Sequence, residues 1–155
     1  MNIAPTLIRQ LAQQGIAYDV KHHNYTNTSL NSAYSASVPT SQVVKSVLLE
    51  DDDGYVMALV PANLHVKINQ LNIALNRNMK LASEHELRSL FIDCELGAIP
   101  PIGEAYGIET IVDYNFDDCS DVYIEAGNHT DLLHLSGSSF RKLMQSAQHA
   151  NLCVH

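Results

Sequence analysis

A chain of 155 residues with 46% hydrophobic content can bury a core without help from metal or disulfides, and its length fits one domain spanning 1–155. The formal charge of −8 argues against a protein that coats nucleic acid through general basicity, because phosphate binding draws on a surplus of Lys and Arg. Cys94, Cys119 and Cys153 form no even set and no C-x-x-C pair, which argues against a disulfide framework or zinc ribbon and predicts a reducing cytoplasm. No basic-then-apolar leader and no apolar run of ~18 residues are present, so a soluble protein with no membrane partner is expected.

Taken in order, Leu7, Ile8 and Leu11 recur at helical spacing between Pro5 and Gln14, with Gly15 placed to cap. Residues 16–22 alternate as a strand with one face inward, and His22 and His23 stand at its exit. Residues 25–40 are small and polar, with a weak helix over 29–37. The next signal is stronger. Residues 43–49 and 55–60 are apolar runs joined by Asp52-Asp53-Gly54, which predicts a β-hairpin. Pro61 ends the second run, 66–75 reads as a short amphipathic helix, and 79–82 as a strand. Ser83 and Glu86 then form the pattern of a capping box for a helix reaching about Phe91.

The segment Gly97-Ala98-Ile99-Pro100-Pro101-Ile102-Gly103 is stiff in its middle and permissive at both ends, since each proline fixes φ and each glycine admits positive φ. It suits a rigid connector, and it equally suits a loop that another molecule approaches closely. Strands follow at 109–113, 121–125 and 132–136, with a turn at Gly127-Asn128, and a last helix starts near Ser138 with Phe140, Leu143 and Met144 on one face. A hairpin combined with helix-separated strands predicts an α+β fold: a mixed, partly barrel-like sheet with helices packed around it.

The chemical candidates are few. The eight histidines include no H-x-x-x-H or H-E-x-x-H, which leaves open only a metal site assembled from residues distant in sequence. The acidic runs at 50–53 and 117–121 lack the spacing of a calcium loop. No G-x-S-x-G, Walker A or G-x-G-x-x-G occurs, so a serine hydrolase, a P-loop NTPase and a dinucleotide enzyme lack support. Lys45 stands alone among apolar strand residues. Such a lysine reaches solvent from a strand edge, or it supplies a phosphate-binding cation where the surface as a whole is not basic.

Val43-Val44-Lys45-Ser46-Val47-Leu48-Leu49, Val60-Pro61, the glycine-proline segment 97–103, Ala126-Gly127-Asn128-His129 and the tail 135–143 together resemble the YbaK/ProX group, free-standing relatives of the bacterial prolyl-tRNA synthetase editing domain. The resemblance spans roughly residues 16–144. It implies hydrolysis of the ester of a mischarged tRNA, without cofactor or metal, with the tRNA acceptor end and a prolyl-tRNA synthetase as partners.

In that likeness Lys45 holds the terminal adenosine and its phosphate, and the loop Gly97, Ala98, Ile99, Pro100 and Pro101 cradles the ester through main-chain groups. N–H donors near Gly97 and Ala98 would face the developing oxyanion. Ser46, Gly127 and His129 fall where the amino-acid pocket is expected, His129 as one of its walls. Two other classes stay open: a module that binds the acceptor end or a synthetase without catalysis, and a small-molecule hydrolase working through the His-rich surface.

Overall fold

The computed structural model describes residues 2–154. Helix α1 (Pro5–Gln13) opens with proline in its first turn and buries Leu7 and Leu11. Strand β1 (Asp19–His22) is shorter than its alternation suggested and all four residues are exposed, because it is an edge strand on the sheet rather than a half-buried one. Helix α2 (Ser29–Ala36) is started by Thr28, whose side-chain oxygen accepts from the Asn31 N–H at 3.1 Å, and is closed by Ser37 at φ 59°.

The hairpin of β2 (Val43–Asp51) and β3 (Gly54–Pro61) pairs Lys45 with Val60 and Leu49 with Val56, turning at Asp52 and Asp53. A short strand β4 (His65–Val66) precedes helix α3 (Ile68–Leu75), and β5 (Lys80–Leu81) leads into helix α4 (Glu84–Leu90). The capping box of α4 is complete: the Glu86 N–H donates to Ser83 Oγ at 3.2 Å and the Ser83 N–H to Glu86 Oε1 at 3.1 Å. Strands β6 (Glu109–Asp113), β7 (Asp121–Glu125) and β8 (Asp131–Ser136) follow, then helix α5 (Gly137–Leu143) and the terminal strands β9 (Gln148–Ala150) and β10 (Cys153–Val154).

One sheet has the order β1-β8-β7-β2-β3-β6-β9, with β5 pairing to β2 beside that path, and β4 and β10 form a separate pair. The sheet is mixed: β2–β7, β3–β6 and β6–β9 are parallel, while β2–β3, β7–β8 and β1–β8 are antiparallel. Alternation along β2 divides its side chains between two faces. Val44 and Leu48 join the larger core with Leu7, Leu11 and Phe140, whereas Val47 and Leu49 join a second core with Val60 and Leu71.

The functional part of this sheet is an interruption. Along one edge, β2 pairs with β7 only at Val43 and Val44 and with β5 only at Leu49 and Glu50. Between those contacts lies a stretch, Lys45–Leu48, with no neighbouring strand on that side among the described residues.

Candidate active site

Alternation of the ladder decides what the gap in the sheet exposes. The Ala62 N–H reaches Val43 O at 2.9 Å on the β3 side, and the Ala82 N–H reaches Leu48 O at 3.0 Å on the opposite side. Even-numbered residues of β2 therefore turn their main-chain groups toward the gap, and the N–H and C=O of Ser46 face into it. A cleft of about 320 Å³ occupies this place. Its polar end is formed by Asn27, Thr28, Ser29, Lys45 and Ser46; its apolar wall by Val47, Leu48, Leu81, Ala82, Leu87 and Ile99, with Gly97 between them.

Each wall is held by a local device. The capping box fixes the start of α4, and Tyr55 OH donates to Glu86 Oε2 at 2.7 Å, tying that helix to the hairpin and setting Leu87 over the cleft. The glycine-proline loop is held at several points. The Gly127 N–H donates to Ala98 O at 2.8 Å, the Glu95 N–H to Gly127 O at 2.8 Å, and Ser46 Oγ to Ile99 O at 3.0 Å. Gly97 sits at φ +85°, and a Cβ there would overlap the Asn27 carbonyl oxygen. Gly127, at φ +93°, lies against Ala4, where a Cβ would stand 2.7 Å from the Ala4 Cβ.

Lys45 and Ser46 point to opposite faces of β2, and the interrupted sheet lets both border one cleft. The Lys45 ammonium is half-buried and donates to Leu64 O at 2.6 Å, and burial lowers its pKa from the ordinary lysine value. His129 is 7% exposed. Its Nε2 lies 3.9 Å from Glu95 Oε2, the Tyr25 ring packs on it at 5.0 Å, and its Cε1 would stand 3.5 Å from a Cβ on Gly97. The turn before it is built by Asn128, whose Oδ1 accepts from the N–H groups of Thr130 and Asp131 at 3.0 and 2.9 Å.

A second depression, of about 470 Å³, is lined by Asp51, Asp52, Asp53 and Arg77. Arg77 there is committed to Asp51, with Nε at 2.7 Å from Oδ2, and holds the Asp51 carboxyl at about 2. Its remaining carboxylates disfavour a phosphate ligand. Among the described residues no three or more His, Cys, Asp or Glu side chains converge as a metal would require. His134 lies between Asp121 at 2.8 Å and Asp19 at 3.7 Å, and His149 is engaged with Asp117 at 2.9 Å.

Residues 23–143 match the family model of the aminoacyl-tRNA editing domain. The chain belongs to that family. Among curated proteins, the proline–tRNA ligase of Bacillus cytotoxicus is 33% identical over 79 residues, which is 50% of this chain and 14% of the ligase. This chain therefore corresponds to a small part of that relative's length. Among solved structures, a protein proposed to be a trans-editing enzyme for prolyl tRNA synthetase superposes with a TM-score of 0.84 at 20% identity, covering 98% of this chain and 97% of that one. The hypothetical protein APE2540 gives the same TM-score of 0.84 at 21% identity, covering 96% and 99%. These two likenesses establish the fold.

Within this editing domain the residues singled out from the sequence separate into two groups. Lys45, Ser46, Gly97 and Ile99 meet at the cleft. Ala98, Pro100, Pro101, Gly127 and His129 are buried behind it, and Pro101 faces a different, nearly filled depression beside Gln10 and Leu143. Two expectations are corrected. The Ala98 N–H donates to Glu95 O at 3.1 Å and is not free, whereas the Gly97 N–H is unengaged by main-chain carbonyls among the described residues. His129 stands behind Gly97 as support rather than as a cleft wall.

Sequence reading missed Asn27, Thr28, Ser29, Leu81 and Leu87, which come from segments of weak periodicity. It also missed Glu125, whose carboxyl is buried next to Ser29 and pushed up to about 8 by desolvation.

Proposed function

We propose that this editing domain is a trans-acting deacylase that hydrolyses the ester of a mischarged tRNA, with tRNA-Pro carrying alanine as the first candidate substrate. The observation that carries the reading is the gap in β2, which offers main-chain donors, one cation and an apolar wall in a cleft sized for a small aminoacyl group. An ester needs a positioned water and donors aimed at the carbonyl oxygen as it becomes an oxyanion. The N–H groups of Ser46 and Gly97 would take that role. Ser46 is not set up as a nucleophile, because its hydroxyl donates to Ile99 O and among the described residues no histidine lines the cleft.

Lys45 would exchange the Leu64 carbonyl for a phosphate of the terminal nucleotide, trading a hydrogen bond to a neutral acceptor for one to an anion. The substrate's neighbouring ribose hydroxyl assists the water, and no metal takes part. Val47, Leu81 and Leu87 border the space for the amino-acid side chain. An apolar pocket separates substrates differing by one methylene by ~1–3 kcal/mol, so exclusion of cognate prolyl-tRNA rests on steric refusal of its ring. By the same reading, a prolyl-tRNA synthetase is the protein partner from which substrate is received.

The test is EDTA-treated protein assayed on alanyl-, cysteinyl-, seryl- and prolyl-tRNA, with alanyl-tRNA lacking the terminal 2′-hydroxyl as a control. Alanyl-tRNA hydrolysis that survives chelation and falls without the hydroxyl is expected. Rapid prolyl-tRNA hydrolysis would overturn the editing role.

A further inference from the structure

The last residue of β7, Glu125, pairs with Leu132 of β8 and lies on the side of the sheet that α2 covers, together with Tyr123, Val43 and Leu132. It is 1% exposed, and neither carboxyl oxygen has a hydrogen-bond partner at bonding distance among the described residues. A buried carboxyl left in this state is costly, and no cap, ion pair or turn uses it. The polar group beside it is the hydroxyl of Ser29, a contact longer than a hydrogen bond in this state and of the kind that tightens when substrate binds. Ser29 is itself 5% exposed, opens α2, and borders the cleft with Lys45 and Gly97.

Two strands away on this face, Asp19 and Lys21 of β1 are exposed, with Asp19 Oδ2 3.7 Å from His134 Nδ1, and the nearer charged or titratable groups are already engaged. Lys45 follows Val44 in the β2–β7 register and so comes alongside Glu125, but its ammonium is held by Leu64 O. Tyr123 precedes Glu125 on the same face of β7 and stacks on His134 at 4.9 Å, and that histidine bonds Asp121. From above, α2 contributes the hydroxyls of Ser29 and Ser32 and no charge.

We propose that Glu125 is a proton-holding residue for the cleft, acting through the Ser29 hydroxyl to protonate the leaving ribose oxygen when the ester is hydrolysed. The inference rests on the deacylase reading above. As the water oxygen bonds to the carbonyl carbon and the bond from that carbon to the ribose oxygen breaks, the Ser29 proton passes to the ribose oxygen and the Glu125 proton to Ser29. The proton released by the attacking water returns along the same path, so ester and water become acid and alcohol and Glu125 ends protonated. Desolvation keeps the carboxyl protonated through neutral pH, with its titration at about 8.

The experiment is the pH profile of kcat for alanyl-tRNA hydrolysis, corrected for spontaneous loss, in wild type, Glu125→Gln, Ser29→Ala and the double variant. Binding of a non-hydrolysable amide analogue of alanyl-adenosine and thermal melting are measured alongside. Wild-type kcat should fall as pH rises through Glu125's titration. Glu125→Gln and Ser29→Ala should each lose about 10²-fold at neutral pH, lose that limb, and bind the analogue within about twofold of wild type. The double variant should be no worse than either single one. A wild-type profile in Glu125→Gln would overturn the relay while leaving the deacylase reading intact, and so would losses that follow melting or analogue binding. If Glu125→Gln fails to fold, the Ser29→Ala profile decides alone. A wild type inactive on every ester would remove both readings together.

Discussion

Lys45 is a half-buried ammonium resting on a backbone carbonyl, and under the proposed function it would be drawn from there onto a phosphate. Lys45→Ala removes the charge without opening a core cavity, so deacylation should fall by at least about 10²-fold while the melting temperature stays within a few degrees. A folded variant with near-wild-type activity would show that the cation is dispensable. Glu125 gives a stability prediction separate from its chemistry. Its folded-state pKa is raised from 4.5 to about 8, so between those values the folded protein binds a proton that the unfolded chain has released. Stability is then highest at and below about pH 4.5, declines as pH rises, and flattens above about pH 8, a total contribution of about 5 kcal/mol. Glu125→Gln should lack this slope in urea titrations across the same range. Parallel wild-type and variant curves would place the carboxyl's titration elsewhere.

At the level of elements, the loop and α2 brace each other through Gly97, which at φ +85° presses its Cα against the main chain of Asn27. The sequence alone suggests that a side chain at Gly97 would harm catalysis more than stability, but the structure shows that it must also displace Asn27. Gly97→Ala should destabilise by about 1–3 kcal/mol, measured by chemical denaturation, and should lower kcat/KM because the polar end of the cleft moves with Asn27. A stable but inactive variant would favour direct intrusion on substrate instead. The hairpin, the α4 capping box and the central strands were legible because their signals are local: alternation, a turn, and a Ser–Glu pair three residues apart. Strands β9 and β10 were not, since segments of three and two residues carry no periodicity and exist through pairing with β6 and β4. The site was legible in the same measure. Lys45, Ser46 and Gly97 stand out in the sequence, whereas the interruption in β2 that brings them together is a property of which strands pair where. Burial behind Gly97 likewise turned His129 from a wall into a support, which no spacing could reveal.

Over the whole molecule, a formal charge of −8 must be reconciled with a tRNA ligand. Among the described residues Lys45 is the one cation bordering the cleft, and just beyond Leu81 the acidic depression begins, where Lys80 lies 3.9 Å from Glu50. Under the proposed function, that field would disfavour the tRNA body near the cleft and leave recognition to the unpaired acceptor end, with one or two phosphates neutralised. Release of counterions from a single strand gives a slope of about −0.7 per phosphate neutralised, so log affinity against log salt should fall with a slope of about −1. A protein gripping the tRNA body through many phosphates would show a slope several times steeper. The measurement is the Kd of the amide analogue carried on a full tRNA and on an acceptor-stem minihelix, between roughly 50 and 200 mM salt. Equal affinity for the two within about twofold, with the shallow slope, is the expected result. A slope steeper than about −3, or a marked preference for full tRNA, would mean that a basic surface outside the cleft engages the tRNA body. Arg141 and Lys142, exposed cations on α5, are the residues to replace next in that case.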